Sequence, residues 1–210
     1  MKNRFSKIFS ILFPGKKTNL FVLLVVILGI ISGSIFLIVL KDSDKELIIN
    51  KIKTFIDNIN SNNINNLDAF KNAIIENGIY ILLIWLLGFS VIGIIFNVFL
   101  IYLKGFITGF SISSLILVYR YKGILASLLY VFPSVIINLF VTTILGIYSF
   151  TFTILLIKSI FNKSNSILIK NYIKKYFLIF IFSIILIIIS SLAEAFIFPS
   201  LIKVIIKLFI

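Results

Sequence analysis

The chain has no cysteine and no histidine. That excludes disulfides and Cys/His zinc sites, and it leaves no side chain whose ordinary pKa lies near neutrality. Neither a Ser/His/Asp nor a Cys/His catalytic group can be assembled from what remains. No GxxxxGK[ST] stretch occurs, so the phosphate-cradling loop of nucleotide hydrolases is missing too. Acids number 7 against 20 basic residues, and all but Glu194 (Asp42, Asp44, Glu46, Asp57, Asp68 and Glu76) fall in residues 41–76, interleaved with lysines. A paired-carboxylate hydrolase needs two acids converging in a cleft, and this scatter offers none. The expectation is a protein that is not an enzyme, with no cofactor and no metal site.

What is abundant is apolar. Hydrophobic residues make up 60% of the chain and the mean hydropathy is +1.19, above the roughly half that a soluble domain carries. The 210 residues suit one all-α domain over 1–210, a polytopic helical bundle in a membrane. A net charge of +13 on such a chain points to anionic lipid headgroups. Nucleic acid is not an expected partner, because no soluble face is available to display the charge.

Residues 1–19 carry Lys2, Arg4, Lys7, Lys16 and Lys17 and no acid. Phe5, Ile8, Phe9 and Leu12 share one helical face, so the segment reads either as a basic flank or as a short interfacial helix ended by Pro14-Gly15. Leu20–Leu40 is uncharged and at about 1.5 Å per residue crosses a core of about 30 Å. It outruns a signal-peptide core and continues past the small Ser32-Gly33-Ser34, so it reads as a retained span.

Residues 41–76 form the one segment of soluble character, an amphipathic helical loop outside the membrane. Ser43-Asp44-Lys45-Glu46 has the pattern of a capping box. Ile48, Ile52, Phe55 and Ile59 repeat at helical spacing. That face either packs on the chain's own bundle, the commoner outcome, or docks a partner. The Asn-rich stretch 60–66 breaks the helix, since its side chains compete for backbone hydrogen bonds, and a second short helix over 67–75 leads to the membrane.

Ile79–Leu103 reads as a second span, bent near Gly88 or Gly93, with Lys104 marking a turn at the inner surface. Two topologies then compete. In one, 105–119 is a short third span and 123–157 a long fourth, bent at Pro133. In the other, 105–119 re-enters the membrane and 123–157 folds as a hairpin turning near Asn138–Thr143. The distribution of lysine and arginine leans towards the second. Both give five crossings, and both leave the acid-free loop 158–175 and the N-terminus on the cytoplasmic side and the C-terminus outside.

Glu194 is the single acid within an apolar segment. Intramembrane acids default to a functional reading, but Glu194 lies about 27 Å along its helix from Tyr176, near the outer interface, where a structural role is the better reading. Ser190, one turn before it, is placed to share a hydrogen bond. In the hairpin topology Asn138 also reaches Glu194; in the long-helix topology it lies too deep. Gly105, Gly109 and Ser113, spaced by four, form a small-residue face for close packing against another helix of the chain or of a partner, a second copy included.

Three stretches together resemble the stage II sporulation protein M family: Trp85-Leu86-Leu87-Gly88 running to Gly93, Lys104-Gly105-Phe106-Ile107-Thr108-Gly109-Phe110, and Ser190-Ser191-Leu192-Ala193-Glu194-Ala195 with Pro199 beyond. The pattern spans essentially the whole chain. It departs from the family where Ile94-Ile95 and Asn138–Phe140 stand in place of frequent prolines. The resemblance implies a multi-pass protein of the sporulation septum that acts during engulfment. It would carry no hydrolytic residues itself and would hold the peptidoglycan-degrading stage II sporulation proteins P and D at the membrane. It also implies a likeness to the membrane halves of some ABC exporters, which makes a transporter subunit the alternative function.

Overall fold

The computed structural model describes residues 15–61, 65–120, 124, 132–161, 166–197 and 199–200. The proposed interfacial segment within 1–14 and the tail lysines Lys203 and Lys207 lie outside them. Among the described residues six helices follow in order: α1 Lys16–Val39, α2 Asp42–Asn60, α3 Asn66–Leu87, α4 Gly93–Tyr119, α5 Phe132–Phe161 and α6 Ser166–Leu192, the last continued by a π-helical turn, Ala193–Ile197. All but α2 are long and apolar enough to cross a membrane, giving the five crossings expected. The end of the bundle where α1 begins is called here the near end.

The α1 helix is apolar all round, so its packing face is set by size and not by polarity. Val22, Val26, Gly29, Gly33 and Leu37 are buried at helical spacing, while Leu20, Leu24, Leu28, Ile31 and Ile35 remain exposed. That face runs parallel to α4. Gly29 and Gly33 meet Tyr102, Gly105 and Phe106, and a Cβ on Gly105 would come within 2.6 Å of the Val26 carbonyl and 3.3 Å of Gly29 Cα. Two small-xxx-small faces thus interlock, and backbone approaches backbone. The partner of the Gly105–Gly109 face is a helix of the same chain.

At the bundle's centre lies α5, buried on every side from Val141 to Ser149. Its Val141, Leu145, Tyr148 and Phe152 pack with Ile81 and Ile84 of α3 and Tyr176, Ile179 and Ile187 of α6. Ile147 faces the other way, onto Val22, Val26 and Ile101.

Several expectations are corrected. The apolar run 79–103 is a helical hairpin and not one bent span: α3 ends at Leu87, residues 88–92 turn, and α4 starts at Gly93. Segment 105–119 is neither a separate span nor re-entrant, because it is the second half of α4. Lys104 therefore sits inside a helix, about 16 Å beyond Gly93, and marks no turn. Residues 138–143 do not turn either; α5 runs through them with Asn138, Thr142 and Thr143 buried. Pro133 is the second residue of α5, in the first turn where a missing N–H is tolerated. The capping box at Ser43–Glu46 is not made, since α2 already begins at Asp42 with Lys41 as its N-cap. The short helix expected over 67–75 is continuous with α3, whose N-cap is Asn65, accepting from the Leu67 amide at 3.0 Å and donating to Asp68 at 2.7 Å.

Candidate functional site

Two buried polar clusters organise the interior. The first lies at the near end, where α3 stops. A helix that ends leaves its last carbonyls without partners, and inside an apolar layer such groups must be satisfied by protein. Side chains of α5 and α6 do this. The Ser149 hydroxyl donates to the Ile84 carbonyl at 3.0 Å, Tyr176 to that of Trp85 at 2.8 Å, and Thr153 to that of Gly88 at 2.9 Å. Asn97 of α4, fully buried, donates to Ser149 at 2.5 Å. Gly88 is required here by space: a Cβ would come within 2.5 Å of Ser149 Oγ and against the Tyr176 hydroxyl. Gly93 is equally confined, since a Cβ there would collide with the Leu87 carbonyl. Trp85 stacks on Phe180 with ring centres 4.5 Å apart and meets Phe89 edge-on at 5.0 Å.

The second cluster lies deeper, between the α3–α4 hairpin and the end of α6. Lys104 Nζ donates to Asn77 Oδ1 at 2.8 Å and stands 4.9 Å above the Tyr80 ring. Asn77 returns its amide to the Ala73 carbonyl at 3.0 Å, and Tyr80 donates to the Leu100 carbonyl. Lys104 is also within electrostatic reach of Glu76 and Glu194. Glu194, carried on the π-helical turn, faces the same cavity as Ser134 of α5, and Ser190 donates to the Ser134 carbonyl at 3.3 Å. An extra residue in a helical turn re-aims the side chains around it, and here that turn places Glu194 beside α5.

A stage II sporulation protein M family model matches residues 22–199. The chain belongs to that family. No curated protein and no solved structure matches it. Membership makes it a sporulation-related protein, and its five long apolar helices make it a multi-pass membrane protein.

The three sequence elements of the family pattern occupy three distinct places in this member. Trp85-x-x-Gly88 forms the capped end of α3. Lys104-Gly105-x-x-x-Gly109-Phe110 supplies both the half-buried lysine and the seam with α1, and Phe110 meets Phe36 at 6.3 Å. Ser190-Ser191-x-x-Glu194 joins α6 to α5. Asn138 is buried in α5 one turn from Ser134, and its Oδ1 has no partner among the described residues. Ser113 is half-buried at a smaller cavity between α1, α2 and α4, apart from both clusters, and Pro199 follows the π-helical turn, half-buried.

The proposed docking face on α2 turns inward. Ile59 is buried at 1% exposure, and Ile48 and Ile52 line a cavity of about 560 Å³ roofed by α2, with Glu194 and Ser134 on its opposite wall. Phe55 lies at the rim, 43% exposed. Sequence reasoning missed Asn77, Tyr80, Asn97, Ser149, Thr153 and Tyr176. Asn77 and Asn97, the amides of the hairpin's two arms, and the Ser149/Thr153 pair at helical spacing were the available signals. In the first cluster the hydroxyls of Ser149, Thr153 and Tyr176 all go to backbone carbonyls, while Asn97 Oδ1 and Trp85 Nε1 are buried without a partner among the described residues.

Proposed function

We propose that this family member is a non-catalytic membrane scaffold of endospore formation, holding peptidoglycan-degrading partners, the stage II sporulation proteins P and D, at the septal membrane during engulfment. The observation that carries the reading is the family match along 22–199, joined to an interior whose polar groups cap helix ends and bridge helices. Such a bundle is built for a fixed shape. The expected loop over 158–175 is instead the end of α5, the join and the first turns of α6, but its five lysines without an acid still support a cytoplasmic near end by the positive-inside rule, with α2 and the end of α6 outside, where wall-degrading partners work. With its apolar stripe turned inward, α2 offers partners its outer, charged side, including Lys53 and Asp57, both exposed.

Affinity purification of the tagged chain from sporulating cells tests this. Recovery of the two hydrolase partners is the expected result, and recovery of a cytoplasmic ATPase in their place would move the protein to the transporter class. Orientation is checked separately in the cysteine-free chain. A cysteine at Lys53 should react with a membrane-impermeant maleimide from outside and one at Lys170 should not; the reverse pattern would invert the topology.

A further inference from the structure

The cavity under α2 is unlike the rest of the bundle. It is the place where Glu194, otherwise deep among apolar helices, reaches open space. Its walls are mostly apolar, from Ile48, Ile52, Phe110 and Leu115, with Ser111 and Ser134 as hydroxyls and Lys51 of α2 across from the carboxylate. Lys51 is exposed and has no ion-pair partner among the described residues, whose one salt bridge is Lys45–Asp42.

Depth decides what such a cavity meets. Tyr176 is fixed at the near end by its bond to the Trp85 carbonyl, and Glu194 lies about 27 Å further along the same helix. That is close to the thickness of a hydrocarbon core, about 30 Å, so the cavity sits at the level of the far headgroups. The amphipathic α2 lies over it as an interfacial helix does, and two of the helices that wall it also carry exposed apolar residues, Leu47 on α2 and Ile116 and Leu117 on α4.

We propose that this cavity holds the headgroup of a zwitterionic aminophospholipid, with the ammonium on Glu194, the phosphate on Lys51 and the acyl chains leaving along the flanking apolar surface. A carboxylate and an ammonium facing one space match a ligand carrying both opposite charges. Phosphatidylethanolamine has that pair, with donors on its ammonium for Glu194 and Ser134. An anionic lipid satisfies Lys51 alone and sets its charge against Glu194. A soluble zwitterion would leave the apolar walls uncovered.

The test is native mass spectrometry of the whole chain in detergent, after incubation with phosphatidylethanolamine or with phosphatidylglycerol of the same acyl chains. One phosphatidylethanolamine should be retained about tenfold better, the ratio expected for one charge-assisted hydrogen bond. Glu194→Gln should remove that preference, Lys51→Gln, which deletes the partner of the phosphate common to both lipids, should lower the retention of both, and Lys53→Gln, outside the cavity, should change neither. Lys51 is exposed, so the loss of retention in its variant decides the matter alone if Glu194→Gln fails to fold. Equal retention of the two lipids by the unaltered chain, unchanged retention in Lys51→Gln, or displacement of the lipid by a short cationic peptide would overturn the proposal, the last pointing to a protein partner.

Discussion

Replacing Gly109 by alanine isolates the energetics of the α1–α4 seam. The new methyl would lie 2.8 Å from the Ile30 carbonyl carbon and 2.9 Å from its Cα, where ordinary contact begins at 3.4 Å, and it would also meet the carbonyl oxygen. These are backbone atoms, so no side-chain rotation relieves the collision, and α1 must retreat by on the order of an ångström. A gap of about 0.5–1 Å forfeits roughly a quarter to a half of each dispersion contact. In a bilayer little hydrophobic drive remains to pull the helices back together. Overpacking of this kind costs about 1–3 kcal/mol, against which alanine recovers about 0.5–1 kcal/mol of helix propensity. Gly78→Ala in α3 is the matched control, because nothing lies within 4 Å of its added Cβ and only the propensity gain, of about 0.5–1 kcal/mol, applies. The propensity gain cancels between them, so Gly109→Ala should be the less stable of the two variants by about 1–3 kcal/mol. Unfolding by sodium dodecyl sulfate in mild micelles, followed by helical circular dichroism, measures that difference. If Gly109→Ala proves as stable as Gly78→Ala, the seam is not the close backbone contact described.

Three further outcomes follow from the two clusters. Tyr176→Phe removes the donor to the Trp85 carbonyl and should destabilise by about 1–3 kcal/mol; no loss in the same titration would mean that the carbonyl is satisfied otherwise. Lys104→Ala should cost about 1.5–3 kcal/mol, and a double-mutant cycle with Asn77→Ala should show coupling of at least about 0.5 kcal/mol, with strict additivity counting against the bond. The chain has no cysteine of its own, so Ser134→Cys with Ser190→Cys should form a disulfide on mild oxidation. If an adjacent pair couples while this one does not, the register of α5 against α6 is wrong.

The sequence made the number of crossings legible because uncharged length is what a bilayer selects, and it made the α2 stripe and the Gly105–Gly109 face legible because helical spacing is visible in one dimension. It hid the turn at 88–92. No charge or proline interrupts that run, and the hydrogen bonds that make a break tolerable come from Ser149, Thr153 and Tyr176, more than sixty residues away. Lys104 was misread for a related reason. A lysine in an apolar stretch resembles an interface marker until its acceptor is known, and Asn77 lies 27 positions earlier, across a hairpin that was itself unseen. Treating Lys104 as a loop residue then made two topologies look evenly matched and tilted the charge count towards the hairpin form of 123–157.

The capped end of α3 bears on how the chain comes to exist at all. During synthesis the α3–α4 hairpin leaves the ribosome well before Ser149, Thr153 and Tyr176 have been made. Until they arrive, the carbonyls of Ile84, Trp85 and Gly88 lack the hydroxyls that satisfy them in the finished bundle. The early helices can therefore be only provisionally seated, and the last two act as the lock on the first four. Chains cut short after Tyr119 should be cleared by membrane proteases although every residue of α1–α4 is present, and their persistence at full-length abundance would show that the hairpin holds without its lock.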